Sequence, residues 1–186
     1  KPISKEGVIF EDEKIYIETK KLEHTAESWG FRINEKDFVT MLPEKLNEHG
    51  IFRENIGELQ KNGTLELDGK IFKLEDFSIE KKGQTFAFVM DTGVCENAYK
   101  LAKDVDLLVC ESTYQKTETA EAISHKHLTA EQAAQIACDA NANMLVLTHF
   151  SQRYPKIEDF LREATEIHKN TYAVKDGDFV DLLKRK

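Results

Sequence analysis

Three short apolar runs, Phe86–Met90, Asp106–Cys110 and Met144–Thr148, stand out of a polar background, and each leads at once into a residue able to do chemistry: Asp91, Glu111 and His149. Bounded apolar runs of this length predict buried strands. Between them the spacing turns helical. Thr129-Ala130-Glu131-Gln132 has the form of a capping box, Thr129 as cap with Gln132 three residues on, and opens an Ala-rich helix to about Ala140. A helix from about Glu96 to Lys103 follows the first strand, and another from Ile157 to about His168 carries Phe160, Leu161, Ala164 and Ile167 on one face. Glu111-Ser112-Thr113 leads into a polar loop. These are βα units of an α/β sheet, in which ligands gather beyond the strand ends, so Asp91, Glu111 and His149 are expected to converge on one cleft.

Ahead of Lys81-Lys82-Gly83 the pattern is one of hairpins. Val8–Phe10 and Lys14–Thr19 read as strands joined by the acidic turn Glu11-Asp12-Glu13; residues 20–28 interrupt, and Trp29–Ile33 resumes the strand character. Pro43 suits the first turn of a helix running to about His49, where Gly50 stops it. Asn55–Lys61 forms a second short helix, and Thr64–Leu67 and Lys70–Lys73 form a hairpin turning at Asp68-Gly69. The chain closes with a strand, Phe179–Leu183, and a basic tail, Lys184-Arg185-Lys186.

Composition narrows the class. With 186 residues, 40% hydrophobic, the chain supports one sizeable core, so residues 1–186 are expected to form a single domain. No apolar run approaches the roughly 20 residues of a membrane span, and the N-terminus has no signal-like apolar region, which predicts a cytoplasmic protein away from membranes. Three cysteines with no Cys-x-x-Cys pair leave one unpaired under any disulfide scheme, which fits a reducing compartment. Cys110 is expected in a strand core and Cys138 in a helix core. A net charge of −8 excludes a basic coat for nucleic acid but leaves room for a local basic site.

The candidate chemistry follows the strand ends. Asp91, after five apolar residues, needs a partner; a metal supplies one, and an N-cap role for the next helix is the equal alternative. His149 is followed by Ser151, Gln152, Arg153 and Tyr154, a set of donors suited to phosphate, where Arg153 can make two parallel hydrogen bonds; pairing of Arg153 with an acidic neighbour is the plainer reading. His127 precedes the capped helix, whose field disfavours an imidazolium, so a general acid there needs a carboxylate such as Glu111 beside it. His24 reads locally as a loop residue, and His49 and His168 as helix-end surface residues.

As a set, these segments resemble the ribonuclease Z family, the tRNA 3′-processing endonucleases of the metallo-β-lactamase fold. Asp91-Thr92-x-x-Cys95-Glu96 is similar to that family's Gly-Asp-Thr-x-x-Cys-Glu segment, and Glu111-Ser112-Thr113 to its Glu-Ala-Thr element. His127-Leu128-Thr129 matches its histidine-threonine motif, and Thr148-His149-Phe150-Ser151-Gln152-Arg153-Tyr154 its last metal motif. His24 followed by Trp29-Gly30-Phe31-Arg32-Ile33 resembles the segment in which a ligand histidine precedes a Gly-aromatic-Arg-Ile strand. The resemblance implies an αββα sandwich, two zinc ions held by His24, Asp91 and His149 with Asp91 bridging, assistance at the scissile phosphate from His127 and Glu111, and phosphate contacts from Arg153, Ser151 and Thr92. It also implies precursor tRNA as substrate and a homodimer.

The departures are specific. Met90 stands where the family has glycine, Gly93-Val94 where Arg-Pro is common, and Cys110 where histidine is frequent. No His-x-His-x-Asp-His occurs, which is the family's first metal motif, and no Gly/Pro-rich arm for the tRNA elbow. The expectation is therefore the C-terminal half of a complete enzyme, inactive alone, with an N-terminal half supplying the remaining ligands. The competing readings are another hydrolase of this fold acting on phosphodiesters, and a metal-free binding module that has lost its first motif.

Overall fold

The computed structural model of the chain describes residues 3–182. In chain order the elements are β1 (Gly7–Glu11), β2 (Ile15–Lys21), β3 (Trp29–Glu35), β4 (Phe38–Met41), α1 (Pro43–Glu48), α2 (Glu54–Asn62), β5 (Thr64–Leu67), β6 (Lys70–Lys73), α3 (Leu74–Phe77) and β7 (Ser78–Lys81). There follow β8 (Thr85–Val89), α4 (Glu96–Ala102), β9 (Leu107–Glu111), a 3-10 turn (Lys116–Glu118), α5 (Thr119–His125), α6 (Ala130–Asp139), β10 (Leu145–Thr148), α7 (Glu158–Ile167) and β11 (Thr171–Ala173). The described residues cluster into two compact units, one of residues 3–36 and 84–182 and one of residues 37–83.

The larger unit is a seven-stranded sheet in the order β1-β2-β3-β8-β9-β10-β11. Pairing is antiparallel from β1 to β8 and parallel from β8 to β11. Short connections join β1 to β2 and β2 to β3, and residues 36–84 separate β3 from β8, whereas β8, β9, β10 and β11 are joined in turn through helices, the crossover that a parallel pair needs. The period of two then sorts the side chains. Ala87, Val89, Leu108, Cys110, Leu145 and Leu147 form one core with Ala98, Leu101, Ala133, Ala137, Phe160 and Ala164 of the helices, while Phe86, Leu107, Val109 and Val146 point to the other face and pack with Met144, Val174, Val180 and Leu182.

The alanines of α6 allow close packing on the sheet. Its start is the expected capping box: Thr129 Oγ1 accepts from Gln132 N at 3.1 Å and Gln132 Oε1 accepts from Thr129 N at 2.9 Å. At the C-terminal end of α4, Arg32 of β3 donates to the carbonyls of Leu101 and Lys103, placing a cation at the negative end of that helix. Gly30 is required by packing. A Cβ there would collide with Leu101 Cδ1 and meet Phe88 O at 3.2 Å. Gly30→Ala is expected to cost about 1–3 kcal/mol through overpacking, read as a lowered urea midpoint; an unchanged midpoint would mean that Leu101 repacks freely.

The smaller unit holds two antiparallel pairs, β4 with β7 and the hairpin β5–β6, and a core of Leu46, Ile51, Leu59, Leu65 and Phe77. The β5–β6 turn is the expected one, with Asp68 and Gly69 both at positive φ, 51° and 74°.

Several elements differ from the sequence reading. The strand expected at Phe179–Leu183 is absent over 179–182, and Leu183 and the basic tail lie outside the described residues. The last strand is instead Thr171–Ala173, too short for its alternation to register; it forms because Leu145, Val146 and Leu147 of β10 offer it a parallel edge. The loop expected after Glu111 contains α5, and β4 and β7 were not expected; their apolar residues Phe38, Val39 and Ile79 remain exposed. Cys110 is in the core, and burial pushes its thiol well above the ordinary cysteine value. Cys138, by contrast, is exposed on the outer face of α6. His168 is no loose surface group: its ring contacts Thr171 Oγ1 at 3.0 Å and donates to Ala142 O at 2.9 Å, tying the end of α7 to the loop before β10.

Candidate metal centre

The parallel register lays the ends of β8, β9 and β10 side by side: Val89 pairs with Cys110, and Glu111 with Thr148. Whatever follows Val89 and Thr148 must therefore emerge near Glu111. Asp91 and His149 do so in left-handed backbone conformations, φ 52° and 61°, which cost a non-glycine residue roughly 1–2 kcal/mol. Positive φ here turns the chain off the strand sharply enough to bring both side chains back over the strand ends. The result is a group of Asp91, Glu111, His127 and His149 whose ligand-type atoms all lie within 4.8 Å of one another.

Asp91 and His149 form the exposed half of the group. Asp91 is not the cap of α4, whose N-cap is Cys95. Its Oδ1 is buried and has no hydrogen-bond partner, although it lies 3.2 Å from His149 Nε2. The contact is close enough for an ion pair, but it lacks hydrogen-bond geometry, so the oxygen's lone pairs face the imidazole nitrogen unsatisfied. A buried acceptor in this state costs a kcal/mol or more. A divalent cation between carboxylate oxygen and imidazole nitrogen removes that cost, and this donor set suits zinc or a similar ion. The residues present therefore fit a metal.

Glu111 and His127 form the buried half. Glu111 is fully buried, and its oxygens accept from Thr92 N at 2.5 Å, Leu128 N at 3.1 Å and Thr113 Oγ1 at 2.7 Å, with His127 Nδ1 at 3.0 Å. With four donors around it, the carboxylate acts as an anchor that orients its neighbours, and the backbone of α6's entry is held through Leu128. The expected Glu111–His127 pairing is present. The ring of His127 lies between two others, 4.8 Å from the His24 ring and 5.4 Å from the His149 ring.

The remaining predicted residues sit around this group. His24 is beside it rather than among the four: its Nδ1 donates to Lys126 O at 3.0 Å, and its loop is pinned by Gly93 N to Glu23 O at 2.8 Å and Glu23 N to Thr92 Oγ1 at 3.1 Å. Thr92 is fully buried, with its amide on Glu111 and its hydroxyl shared between Glu23 and Gly93. No atom of it is left for a phosphate, and its task is to fix the two loops to each other. Ser151 donates its amide to Thr113 O at 3.1 Å, starting the turn that presents Arg153. Arg153 is exposed and stands 5.1 Å over the Tyr114 ring, a cation–π contact that leaves the guanidinium edge open. Near it, Glu118 is held below the usual carboxylate range by hydrogen bonds from Thr117 and Tyr154. Tyr114 and Thr113 were given no task by the sequence; the run of polar residues directly after Glu111 was the available signal.

Among known proteins, the Beta-lactamase superfamily domain matches residues 73–150. A protein named Ribonuclease Z from Salinispora arenicola is 47% identical over 150 residues, 81% of this chain and 48% of the relative. Another from Protochlamydia amoebophila is 43% identical over 175 residues, 94% of this chain and 57% of the relative. The chain thus spans about half the length of the curated relatives it matches. The metallo-beta-lactamase fold protein YhfI of Bacillus subtilis superposes with a TM-score of 0.60 at 16% identity, covering 93% of this chain and 51% of that one. Human tRNase Z, short form, superposes with a TM-score of 0.57 at 21% identity, covering 95% and 46%. The architecture is that of the metallo-β-lactamase fold.

Proposed function

We propose, for a chain that has the metallo-β-lactamase fold and aligns along most of its length with proteins named ribonuclease Z, that it is the C-terminal portion of a zinc-dependent endoribonuclease removing the 3′ trailer from precursor tRNA. The single observation that carries this reading is the meeting of an unpartnered buried oxygen on Asp91 with His149 Nε2, beside a Glu111–His127 pair. A phosphodiesterase of this kind needs both parts: ligands for a metal and a group to handle the proton of the leaving oxygen.

Asp91 and His149 would hold zinc, with His24 and residues of an N-terminal half completing two sites. When bound, the metal supplies Lewis acidity toward the phosphate and a water of near-neutral pKa. The chain's own residues do the rest. Glu111 fixes His127 through Nδ1, leaving Nε2 to hold the proton that the departing 3′ oxygen takes. Arg153, propped on Tyr114, supplies two parallel N–H groups to a phosphate oxygen pair. Ser151 helps by shaping the turn that presents Arg153. Because the chain carries net charge −8, RNA binding would depend on such local cations. Residues 1–186 as one portion of the fold, a cytoplasmic location and a homodimeric full-length form belong to the same proposal; the structure itself has no helix among its described residues long and apolar enough to cross a membrane.

The test is trailer removal from a precursor tRNA by the full-length protein, with the 186-residue chain assayed beside it. Cleavage after the discriminator nucleotide by the former and not the latter is expected. A full-length protein that ignores precursor tRNA but hydrolyses a chromogenic phosphodiester would replace this reading with that of a small-substrate hydrolase.

A further inference from the structure

The hydroxyl of Thr113 lies at the junction of three chemistry-bearing side chains. Its Oγ1 is 2.7 Å from Glu111 Oε2, 2.8 Å from His149 Nδ1 and 3.3 Å from His127 Nδ1. A hydroxyl owns one proton, so the two short contacts cannot both be donations. Glu111 decides between them. Its oxygens already receive the amides of Thr92 and Leu128, and an ionised carboxylate is an acceptor only. It can approach Oγ1 at 2.7 Å only by taking the hydroxyl proton. Toward His149, Thr113 must then accept, and the hydrogen belongs to His149 Nδ1. A neutral imidazole with Nδ1–H carries its lone pair on Nε2, the nitrogen that faces the unpartnered Oδ1 of Asp91 at 3.2 Å.

We propose that Thr113 is a positioning residue that sets the tautomer of His149, keeping hydrogen on Nδ1 and a bare Nε2 toward the cleft before any metal arrives. One buried carboxylate thereby orients two histidines, His127 directly and His149 through a single hydroxyl. A carboxylate placed behind a ligand histidine raises its basicity and fixes its ring, and losing such a partner weakens metal binding about 10- to 100-fold. The purpose of the relay rests on the metal-centre reading above; the tautomer does not.

The test uses metal-stripped full-length protein labelled with ¹⁵N-histidine, at about pH 8 where an ordinary imidazole is neutral. Long-range ¹H–¹⁵N correlation spectra, with His149 assigned by its loss in His149→Asn, read the tautomer directly. Wild type is expected to show Nδ1–H at His149. Thr113→Val, which keeps the shape and removes the hydroxyl, should move His149 toward Nε2–H and weaken zinc affinity, measured by competition with a chelator dye, about 10- to 100-fold; Thr113→Ser should restore both. An Nε2–H tautomer in wild type, or an unchanged tautomer and affinity in Thr113→Val, overturns the proposal. If the valine variant does not fold, the wild-type and serine spectra decide. Absence of trailer removal with Nδ1–H in place would count against the nuclease reading and leave the relay standing, whereas trailer removal with Nε2–H would sink the relay alone.

Discussion

Asp91→Asn in the full-length protein is expected to lower trailer removal on the order of 10³-fold while leaving the stability of the metal-stripped protein within about 1 kcal/mol of wild type. The two halves of that expectation have one cause. Asp91 Oδ1 is a buried acceptor without a hydrogen-bond donor, so the fold gains no hydrogen bond from it, and an amide of the same size in its place breaks none. Asparagine also tolerates the left-handed backbone at this position, φ 52°, better than most residues. A metal centre loses a ligand in the same change, and a bound cation supplies several kcal/mol of transition-state stabilisation, at about 1.4 kcal/mol per tenfold in rate. Metal content by mass spectrometry and a urea titration of stripped protein measure the two halves separately. Full metal content in Asp91→Asn would remove the carboxylate from the site.

Glu111→Ala should behave in the opposite way and destabilise even without metal. It would strand the amides of Thr92 and Leu128, the hydroxyl of Thr113 and Nδ1–H of His127 in a fully buried place. Removing the centre of a buried polar network costs about 3–5 kcal/mol. With a urea slope of about 2 kcal/mol per molar, the midpoint falls by roughly 2 M. Glu111→Gln keeps the volume and one acceptor oxygen but turns its amino group toward other donors, so a smaller fall is expected. A midpoint for Glu111→Ala equal to wild type would show that water enters and replaces the carboxylate, and that Glu111 does not anchor the loops. The contrast between the two carboxylates is the useful signature: one is spent on structure, the other is held in reserve for a ligand.

How much of this was legible beforehand varies by residue. The three strand ends, the capping box at Thr129 and the Glu111–His127 pair could be read from the chain because each rests on a local pattern: an apolar run, a cap three residues from its partner, a histidine beside a helix start. β11 could not, because three residues carry too little alternation and the strand exists only where β10 offers it an edge. Cys138 was misplaced because in an Ala-rich helix every face looks apolar, and only the packing of α6 on the sheet separates Ala137, inside, from Cys138, outside. Thr92 was given to phosphate on its neighbourhood in the sequence, yet its hydroxyl is used up between Glu23 and Gly93.

By itself, then, the order of residues determined which side chains could do chemistry and that they end strands, since both follow from short-range pattern and residue type. Tertiary structure alone decided that β8, β9 and β10 run parallel in a register that sets Val89 against Cys110 and Glu111 against Thr148. Everything specific about the site depends on that register: a proton has one position on an imidazole ring, and which nitrogen holds it is set by partners 36 residues away in the chain, a separation no local pattern encodes.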